Sequence, residues 1–370
     1  MITKRNFAGD DCSVLGFGCM RFPCNSDGTI NEAETFKMLD AAYNSGVNYY
    51  DTAYPYHNGT SELVVGKWLK KIPRDSVKIA TKLPLWAIND RDDAPRIFNE
   101  QLNKLGVDYV DYYLLHAVGR DRWENTVLKL DLIPIFEQLQ REGKIRHFGF
   151  SFHDNYQLFE EMLNYRKWDF CQIQYNYMDT HHQAGDRGYE LAEKLGVPLV
   201  IMEPIRGGSL VSFSDEVKER FSALDPNRSM ANWALSWVGT HENAKVILSG
   251  MSTMEQVEEN ISTFSPIKPL SKYEMTEVSN IVKYIESRVK NKCTKCRYCM
   301  PCPFGVNIPK NFEKWNEFGM YDKVRGGYKL DEWTADKCRN CRACVSKCPQ
   351  EIPIPEHLAQ MLIDFGINKS

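Results

Sequence analysis

The chain has 370 residues, which is long for one hydrophobic core and suggests a large domain with an appendage or two medium domains. Its composition, 43% hydrophobic and 26% charged, is that of a globular protein, and no run of eighteen apolar residues occurs, which excludes disorder, collagen and a membrane span. The formal net charge of −3 is too near neutral for a general binder of nucleic acids or membranes. The unusual feature is twelve cysteines, eight of which lie in the 56 residues from Cys293 to Cys348.

The amino-terminal residues MITKRNFAGDDCSV contain no apolar segment and no small-residue cleavage site, so we expect a cytoplasmic protein without a secretory signal. Thiols stay reduced in the cytoplasm, which disfavours a disulfide framework and makes metal binding the better interpretation of the cysteine-rich region. The other four cysteines are scattered, and we expect them to be small buried hydrophobic residues: Cys12, Cys19, Cys24 and Cys171.

Residues 15–265 alternate short apolar runs with amphipathic helical stretches. The expected strands are VLGFGCM, VNYYDT, VKIATK, VDYYLLH, IRHFGFS, FCQIQYN, VPLVIME and KVILSG, and the helical stretches include EAETFKMLDAAYNSG, ELVVGKWLKKI, ENTVLKLDLIPIFEQLQREG, GYELAEKLG and MANWALSWVG. Eight β-α units in about 250 residues are typical of a (β/α)₈ TIM barrel, whose strands are buried on both faces. We therefore predict an α/β fold with such a barrel over residues 1–270.

An open doubly wound sheet is the alternative arrangement. It would need a G-x-G-x-x-G turn after the first strand, and the nearest match runs from Gly16 through Gly18 to Arg21, where an arginine replaces the third glycine. No helical pattern follows at once, so this alternative is disfavoured.

The segment PIKPL interrupts the pattern, and SKYEMTEVSNIVKYIESRVK predicts a connecting helix over residues 271–290. We place a second domain at residues 291–370. Residues 291–350 have a net charge of +6, whereas the rest of the chain has −9. An ordinary solvated face would explain this difference, but so would a metal cluster carried by four thiolates, because that cluster is an anion whose charge Lys and Arg would offset.

Eight cysteines form two similar groups in this second domain. The first group reads CTKCRYCMPCP and the second reads CRNCRACVSKCP. Three thiolates at i, i+3 and i+6 wrap one corner of a cubane, whereas zinc sites normally use two Cys-x-x-Cys pairs set further apart. The pattern therefore predicts two [4Fe–4S] clusters, with ligands from Cys293, Cys296, Cys299, Cys302, Cys338, Cys341, Cys344 and Cys348.

The fourth ligand of each cluster is expected to come from the other group, so that Cys348 joins the first group and Cys302 joins the second. The region resembles bacterial two-cluster ferredoxin modules over about 65 residues. Its 35-residue connection contains the helix-like KNFEKWNEFG, which favours a small, mainly helical ferredoxin-like domain. That long connection and the short spacing before Cys302 depart from the ferredoxin pattern and leave the exchanged assignment open.

Reactive groups in a TIM barrel lie at the carboxyl ends of its strands. Those ends carry Asp51 after the second strand, Tyr56 five residues later, Lys82 ending the third strand and His116 ending the fourth. Singly, each has an ordinary explanation as a cap, a solvated lysine or a packed histidine. Together they form an acid with groups that tune it, because a phenol becomes a useful proton donor when a cation shifts its pKa.

The segments VNYYDTAYPYHNG, IATKLP and DYYLLHAV resemble those of the aldo-keto reductases, and the resemblance covers residues 10–265. It implies an oxidoreductase that reduces a small-molecule carbonyl with hydride from NAD(P)H. In that role Tyr56 would be the general acid, Lys82 paired to Asp51 would lower the tyrosine pKa, and His116 would orient the carbonyl.

The resemblance also implies a set of cofactor-binding positions at the strand ends and in the loops after the last strands. They are Gly18, Met20, Ser151, Gln172, Met202, Pro204, Arg206, Gly207, Gly208, Gln256, Glu259 and Asn260. Four positions depart from the family: Phe152 replaces an asparagine, Met202 replaces a stacking aromatic ring, and Gly250 and Gln256 replace cations that often bind the 2′-phosphate. The sequence therefore does not favour NADPH over NADH.

Nicotinamide transfers two electrons as hydride, whereas each cluster transfers one, so a flavin would normally be needed between them. Three hypotheses follow. The barrel is a carbonyl reductase with structural or redox-sensing clusters, or the clusters feed electrons to a flavin or substrate in the barrel. In the third, a non-catalytic barrel accompanies an electron-transfer module that docks an acidic redox protein such as a ferredoxin or flavodoxin.

Overall fold

Eight short strands close into a parallel barrel in this computed structural model, which describes residues 1–324 and 326–367. Val, Ile, Leu and Tyr dominate the strands, whose residues are nearly all buried, as a sheet covered on both faces requires. Neighbouring strands follow chain order, and the last pairs with the first. The barrel strands are β3 (Leu15–Gly18), β4 (Tyr49–Asp51), β5 (Lys78–Leu83), β6 (Val110–Val118), β7 (Ile145–Phe152), β8 (Phe170–Gln174), β9 (Leu199–Met202) and β10 (Ala244–Gly250).

An amino-terminal hairpin, which the sequence analysis did not predict, closes the end of the barrel where the strands begin. Its strands are β1 (Lys4–Phe7) and β2 (Asp10–Ser13), which pair antiparallel. Phe7 stacks on Tyr112 of β6 with ring centroids 4.6 Å apart, and Cys12 joins the same buried cluster. Because this end is filled with apolar side chains, the opposite end is the one that can bind a ligand.

Helices connect the strands as the predicted barrel requires, and the (β/α)₈ fold is confirmed. Their bounds are α1 (Glu32–Asn44), α2 (Ser61–Leu69), α3 (Asp93–Leu105), α4 (Arg120–Arg122), α5 (Ile133–Arg141), α6 (Tyr156–Tyr165), α7 (Gly185–Lys194), α8 (Asp215–Leu224), α9 (Met230–Gly239), α10 (Met254–Thr263), α11 (Lys272–Ser287), α12 (Ile308–Tyr321) and α13 (Ile354–Asp364). None of the helices among the described residues is both long and apolar enough to cross a membrane.

The helical stretch expected over residues 124–143 is helical in two parts with a break between them. The segment forms a π-helical turn at Trp123–Leu128 and then a separate helix, α5. Asp131 between them has a left-handed backbone with φ of 50°, which interrupts the right-handed helix. Pro134 then lies in the first turn of α5, where a missing N–H is tolerated.

The described chain forms two compact units. The first comprises Met1–Leu210 and Arg228–Tyr273 and contains the barrel, and the second comprises Val211–Asn227 and the described residues from Glu274 onward. Helix α8 therefore belongs to the second unit although it follows β9 in the chain. Arg288 holds it there by donating a hydrogen bond of 2.8 Å to Ser214, just before α8.

The second unit has a core of its own, built around α12 and α13. Each of these helices begins with an Ile-Pro pair shortly after a Cys-Pro pair, so the sequence repeat corresponds to a structural repeat. The predicted helical character of this region is confirmed. Six cysteines pack against its apolar core, namely Cys293, Cys299, Cys302, Cys338, Cys344 and Cys348.

Candidate active site and cluster cavities

A buried ion pair lies at the carboxyl ends of β4 and β5. Lys82 is completely buried, and its Nζ lies 2.6 Å from Oδ1 of Asp51 and donates a second hydrogen bond to the carbonyl oxygen of Thr52 at 2.9 Å. Burial favours the neutral form of the lysine, but Asp51 and Tyr56 outweigh it and hold the pKa of Lys82 above its ordinary value. The ammonium is therefore charged and already fixed in position.

Tyr56 lies beside this pair, in the turn that follows β4. The Lys82 Nζ is 5.1 Å from the centroid of the Tyr56 ring, and the two side chains are hydrogen-bonded. Burial raises the pKa of Tyr56 above its ordinary value, and Lys82 opposes that rise. The expected lowering of the Tyr56 pKa by Lys82 is therefore one contribution, but the effect of burial is larger.

His116 completes the predicted group at the end of β6. Its ring centroid is 6.0 Å from that of Tyr56, and its Nδ1 is buried without a hydrogen-bond partner among the described residues. Burial holds the pKa of His116 well below its ordinary value, and Lys82 and Arg122 add to this effect. Ala117, with φ of 51°, gives the strand a kink immediately after the histidine.

These four side chains meet because β4, β5 and β6 are neighbours in a parallel barrel, whose carboxyl ends share one edge. The group combines a phenol, an ammonium that hydrogen-bonds it and a neutral imidazole. Such a set can place a proton on an oxygen atom bound between the phenol and the imidazole.

Three of the predicted cofactor residues lie on the next strands of the same edge. Ser151 on β7 and Gln172 on β8 are buried, and Gln172 donates to the sulfur of Met202 at 3.4 Å. The Gln172 Oε1 is buried without a partner among the described residues, so a carboxamide N–H would satisfy it. Phe152 packs on Phe159 of α6 and offers no polar group.

The loop after β9 holds the predicted phosphate contacts. Arg206, Gly207 and Gly208 all have left-handed backbones, with φ of 49°, 58° and 85°. The Arg206 Nε lies 3.3 Å from Oδ2 of Asp179, so its charge is already paired. Pro204 precedes this turn and is buried. The glycines can approach a phosphate closely, whereas Arg206 would have to leave its carboxylate to do so.

The predicted adenine end lies along α10. Gln256 accepts a hydrogen bond from the backbone N–H of Ser252 at 2.7 Å, and Asn260 donates one to Ser249 at 2.8 Å. Glu259 is exposed. The structure thus engages Gln256 and Asn260 in local hydrogen bonds and leaves the Glu259 carboxylate open to a ligand.

Arg21 is a residue that the sequence analysis did not assign to the site. Gly18 at the end of β3 pairs with Gly250 of β10, and Met20 beyond it is 54% exposed. The Cγ of Arg21 lies 2.6 Å from where a Cβ on Gly250 would be, so the arginine occupies the space of the missing side chain. Its guanidinium reaches the phosphate loop, where Nη2 is 3.6 Å from the corresponding position on Gly207. The glycine at position 250 was the feature of the sequence that could have indicated this role of Arg21, because it leaves room for another side chain.

The second unit contains two cavities lined by cysteines. The cysteines lining the first are Cys293, Cys296, Cys299 and Cys348, and those lining the second are Cys302, Cys338, Cys341 and Cys344. Each cavity therefore combines three cysteines of one group with one of the other. The side chains surround a space, and among the described residues no three His, Cys, Asp or Glu groups meet closely enough to hold a single metal ion.

The backbone around the two cavities has the same local form. Lys295 and Arg297 flank Cys296 with φ of 59° and 68°, and Asn340 and Arg342 flank Cys341 with φ of 52° and 60°. Alternation of right- and left-handed residues turns successive N–H groups towards one side and creates a concavity suited to an anion. Four thiols around an apolar space with such N–H groups fit an anionic iron–sulfur cluster.

The sequence profile of the Aldo/keto reductase family matches residues 14–283. The chain belongs to this family. A second profile, that of the 4Fe-4S dicluster domain, matches residues 292–353, so the enzyme is an oxidoreductase that also carries a 4Fe-4S domain. This match favours iron–sulfur chemistry over the zinc alternative.

Several known proteins are similar to this aldo-keto reductase. A probable aldo-keto reductase of Glycine max is 31% identical over 156 residues, which cover 40% of this chain and 44% of that protein. An NADH-specific methylglyoxal reductase of Escherichia coli is 26% identical over 267 residues, covering 60% of this chain and 80% of that protein. The apo structure of an aldo-keto reductase from Bacillus halodurans is 26% identical with a TM-score of 0.62 and covers 76% of this chain and 96% of that one.

Proposed function

We propose that this protein reduces an aldehyde or ketone with hydride from a nicotinamide cofactor, with Tyr56 as the proton donor. The observation that supports this most strongly is the buried Lys82–Asp51 pair, 2.6 Å apart, behind Tyr56. Two apolar side chains could fill the same space, but only an ion pair holds a positive charge beside the Tyr56 phenol. The E. coli relative that reduces methylglyoxal supports a small carbonyl compound as the substrate class.

In this mechanism the bound nicotinamide supplies the hydride, and the chain manages the proton. Tyr56 donates its proton to the carbonyl oxygen as negative charge develops there. Lys82 stabilises the phenolate that remains, and Asp51 keeps the lysine charged although it is buried. His116 is neutral and holds the carbonyl oxygen without competing as an acid.

The cofactor would lie across the strand ends from β7 to β10. Ser151 and Gln172 would hold the carboxamide, because Gln172 has a buried oxygen with no partner among the described residues. The turn at Gly207 and Gly208 would approach the phosphates, and α10 would contact the adenine through Glu259.

The experiment is cofactor oxidation by anaerobically purified protein, with NADH and NADPH tested separately against methylglyoxal. Tyr56→Phe should lower turnover by at least about 100-fold, while nucleotide binding by fluorescence titration is retained. Tyr54→Phe is the matched control, because the Tyr54 hydroxyl donates a hydrogen bond to Glu100 and not to Lys82. Retained turnover in Tyr56→Phe would exclude this tyrosine as the acid.

We further propose that the second unit holds two [4Fe–4S] clusters, one in each cysteine-lined cavity. Intact protein should contain about eight iron and eight sulfide per chain, as two four-iron clusters require. Cys348→Ala should then remove the cluster of the first cavity and halve the iron content, whereas Cys24→Ala, at an exposed cysteine of the first unit, should change neither. Full iron content in Cys348→Ala would contradict Cys348 as a cluster ligand.

Electron transfer is a second candidate function, favoured by the exposure of one cysteine in each cavity. Cys296 and Cys341 are exposed, and exposed arginines lie beside them, Arg297 next to the first and Arg339 two residues before the second. This arrangement favours exchange of single electrons with an acidic redox protein, as predicted from the net charge of this region. The flavin alternative gains no support from the described residues or the compared proteins.

Addition of NADH or NADPH to the anaerobic protein separates the two roles of the clusters. If the clusters are structural, their visible absorption should stay unchanged while the carbonyl is reduced. Bleaching by the nicotinamide alone would contradict a structural role and support electron transfer through the barrel. The cytoplasmic location stays a prediction.

A further inference from the structure

One cation near the proposed proton donor has no carboxylate partner in the part of the chain that the structure describes. Arg122, at the end of α4, is half-buried at the mouth of the barrel, and its guanidinium lies 5.2 Å from the centre of the Trp86 ring. No Asp or Glu among the described residues lies within ion-pair distance of it. By contrast, its neighbour Arg120 is paired with both Glu124 and Glu161.

The position of Arg122 is fixed relative to His116. Its Nη1 donates a hydrogen bond of 2.7 Å to the carbonyl oxygen of Ala117, the residue that follows the histidine. Trp86 links the two from the side, because its ring centroid lies 5.0 Å from that of His116. The guanidinium and the His116 ring thus lie 5.2 and 5.0 Å from the centre of the same Trp86 ring.

The surroundings leave this positive charge uncompensated. Lys82, the other cation near His116, is by contrast paired with Asp51 at 2.6 Å. His153 lies close enough to Arg122 for the charge to lower its pKa further than burial alone does, so this imidazole is neutral and able to donate a hydrogen bond. A guanidinium that uses one N–H on a backbone carbonyl still presents the others in a planar fork.

We infer that Arg122 forms a carboxylate-binding subsite, so that the preferred substrate is an oxo acid, a carbonyl compound with a carboxylate a few bonds from the reacting carbon. The inference rests on the proposed reductase function, because it assumes that the carbonyl binds at His116. The planar fork of Arg122 matches a carboxylate, and Trp86, which is 48% exposed, would cover the apolar part of a short substrate. The reaction itself is unchanged: hydride adds to the carbonyl carbon, Tyr56 supplies the proton, and the product is a hydroxy acid.

The test compares 4-oxobutanoate with its uncharged methyl ester, using the full-length enzyme and the preferred nicotinamide cofactor. The wild-type enzyme should prefer the acid in kcat/KM, and Arg122→Gln should reduce this preference by about 10- to 100-fold, as expected for the loss of a charged hydrogen bond. A general effect of the mutation on His116 would change kcat/KM equally for the acid and the ester, so it cancels in the ratio of the two values. Arg120→Gln, which changes an adjacent arginine away from this subsite, should leave the ratio unchanged.

Two further measurements test whether Arg122 binds a carboxylate. Succinate has the carboxylate but no reducible carbonyl, so it should inhibit the wild type competitively and Arg122→Gln much more weakly. Arg122→Lys should retain part of the preference, since it keeps the charge and loses the fork. Equal reduction of acid and ester by the wild type, or an unchanged ratio in Arg122→Gln, would overturn the subsite while the reductase stands. Reduction of neither compound, nor of methylglyoxal, would instead overturn the proposed function.

Discussion

Lys82 and Asp51 are charged side chains in a place where water cannot reach them. Removing either charge alone leaves the other uncompensated, and that loss is larger than the net contribution of the pair to stability. The pair therefore reflects a requirement of the site more than a requirement of the fold.

Asp51→Asn should lower the free energy of unfolding by about 3–5 kcal/mol, because the Lys82 ammonium would be buried without its carboxylate. The double variant Asp51→Asn with Lys82→Met should recover much of that stability but no turnover. Denaturant unfolding followed by far-UV circular dichroism measures the first effect, and cofactor oxidation measures the second. A double variant as unstable as the single one would contradict the electrostatic explanation.

His116 should make stability depend on pH. Burial holds its pKa well below the ordinary value of about 6.5, so below that pH the unfolded chain binds a proton that the folded chain does not. Stability is then lost as pH falls below about 6.5, by up to about 1.4 kcal/mol per pH unit for one histidine. His116→Asn should flatten this dependence between pH 5.5 and 7.5, whereas the exposed His181→Asn should not. An equal slope in wild type and His116→Asn would be the contrary result.

Arg21 should contribute to binding of the nucleotide, since it fills the space beside Gly250 and reaches the loop at Gly207. Arg21→Ala should weaken the binding of NADPH and NADH alike, by about 10-fold or more, because the loop at Gly207 would approach the phosphates that both nucleotides carry. Fluorescence titration of the two nucleotides gives both dissociation constants. Unchanged dissociation constants for both nucleotides in Arg21→Ala would contradict this role.

At the scale of elements, the contact between α2 and α3 depends on one glycine. A Cβ on Gly66 would lie 2.4 Å from the carbonyl oxygen of Lys104 and 2.7 Å from that of Leu105. Both atoms belong to backbone, which cannot turn aside as a flexible side chain can.

Gly66→Ala should therefore destabilise the protein although alanine is the better helix former. The gain in helix propensity is about 1 kcal/mol, whereas overpacking costs about 1–3 kcal/mol, so a net loss of up to about 2 kcal/mol is expected. Thermal unfolding measures it. Lys67→Ala on the same helix loses only an exposed ion pair with Glu32 and should change stability by less than about 0.5 kcal/mol. A stabilised Gly66→Ala would show that the two helices can separate at little cost.

At the scale of the whole molecule, the two units differ in what fills their cores. The barrel is filled by its own side chains, including the stacked Phe7 and Tyr112. The second unit instead surrounds two cavities with thiols that also pack against its apolar core. Its stability should therefore depend on its clusters, as in other proteins whose metal sites hold their cores together.

Removal of iron with an oxidant and a chelator should loosen the second unit selectively. Backbone amides of α12 and α13 should exchange hydrogen at least about 100-fold faster, while β4, β5 and β6 change little. Hydrogen exchange followed by mass spectrometry reports both regions in one experiment. Unchanged protection of α12 after complete loss of iron would contradict this dependence.

The sequence alone determined the features that repeat along the chain. Eight apolar runs separated by helical patterns were sufficient to predict the barrel. The positions of Asp51, Lys82 and His116 at strand ends were sufficient to predict that they lie together, since the carboxyl ends of parallel strands share one edge. Likewise, the cysteine spacing was sufficient for the two groups of three cysteines, because three ligands in seven residues are a local property of the chain, whereas it left open which fourth cysteine lines each cavity.

Only the tertiary structure decided which distant side chains meet. Arg206 forms an ion pair with Asp179, and Arg21 fills the space that a side chain at Gly250 would occupy. Arg122, near His116, has no carboxylate partner among the described residues. Local patterns encode the period of a helix or strand, whereas the pairing of a charge depends on loops that the barrel brings together from far apart in the chain. The twelve cysteines show the same division: their spacing identified the cluster region, but the exposure of Cys24, which was expected to be buried, depended on the path of a loop.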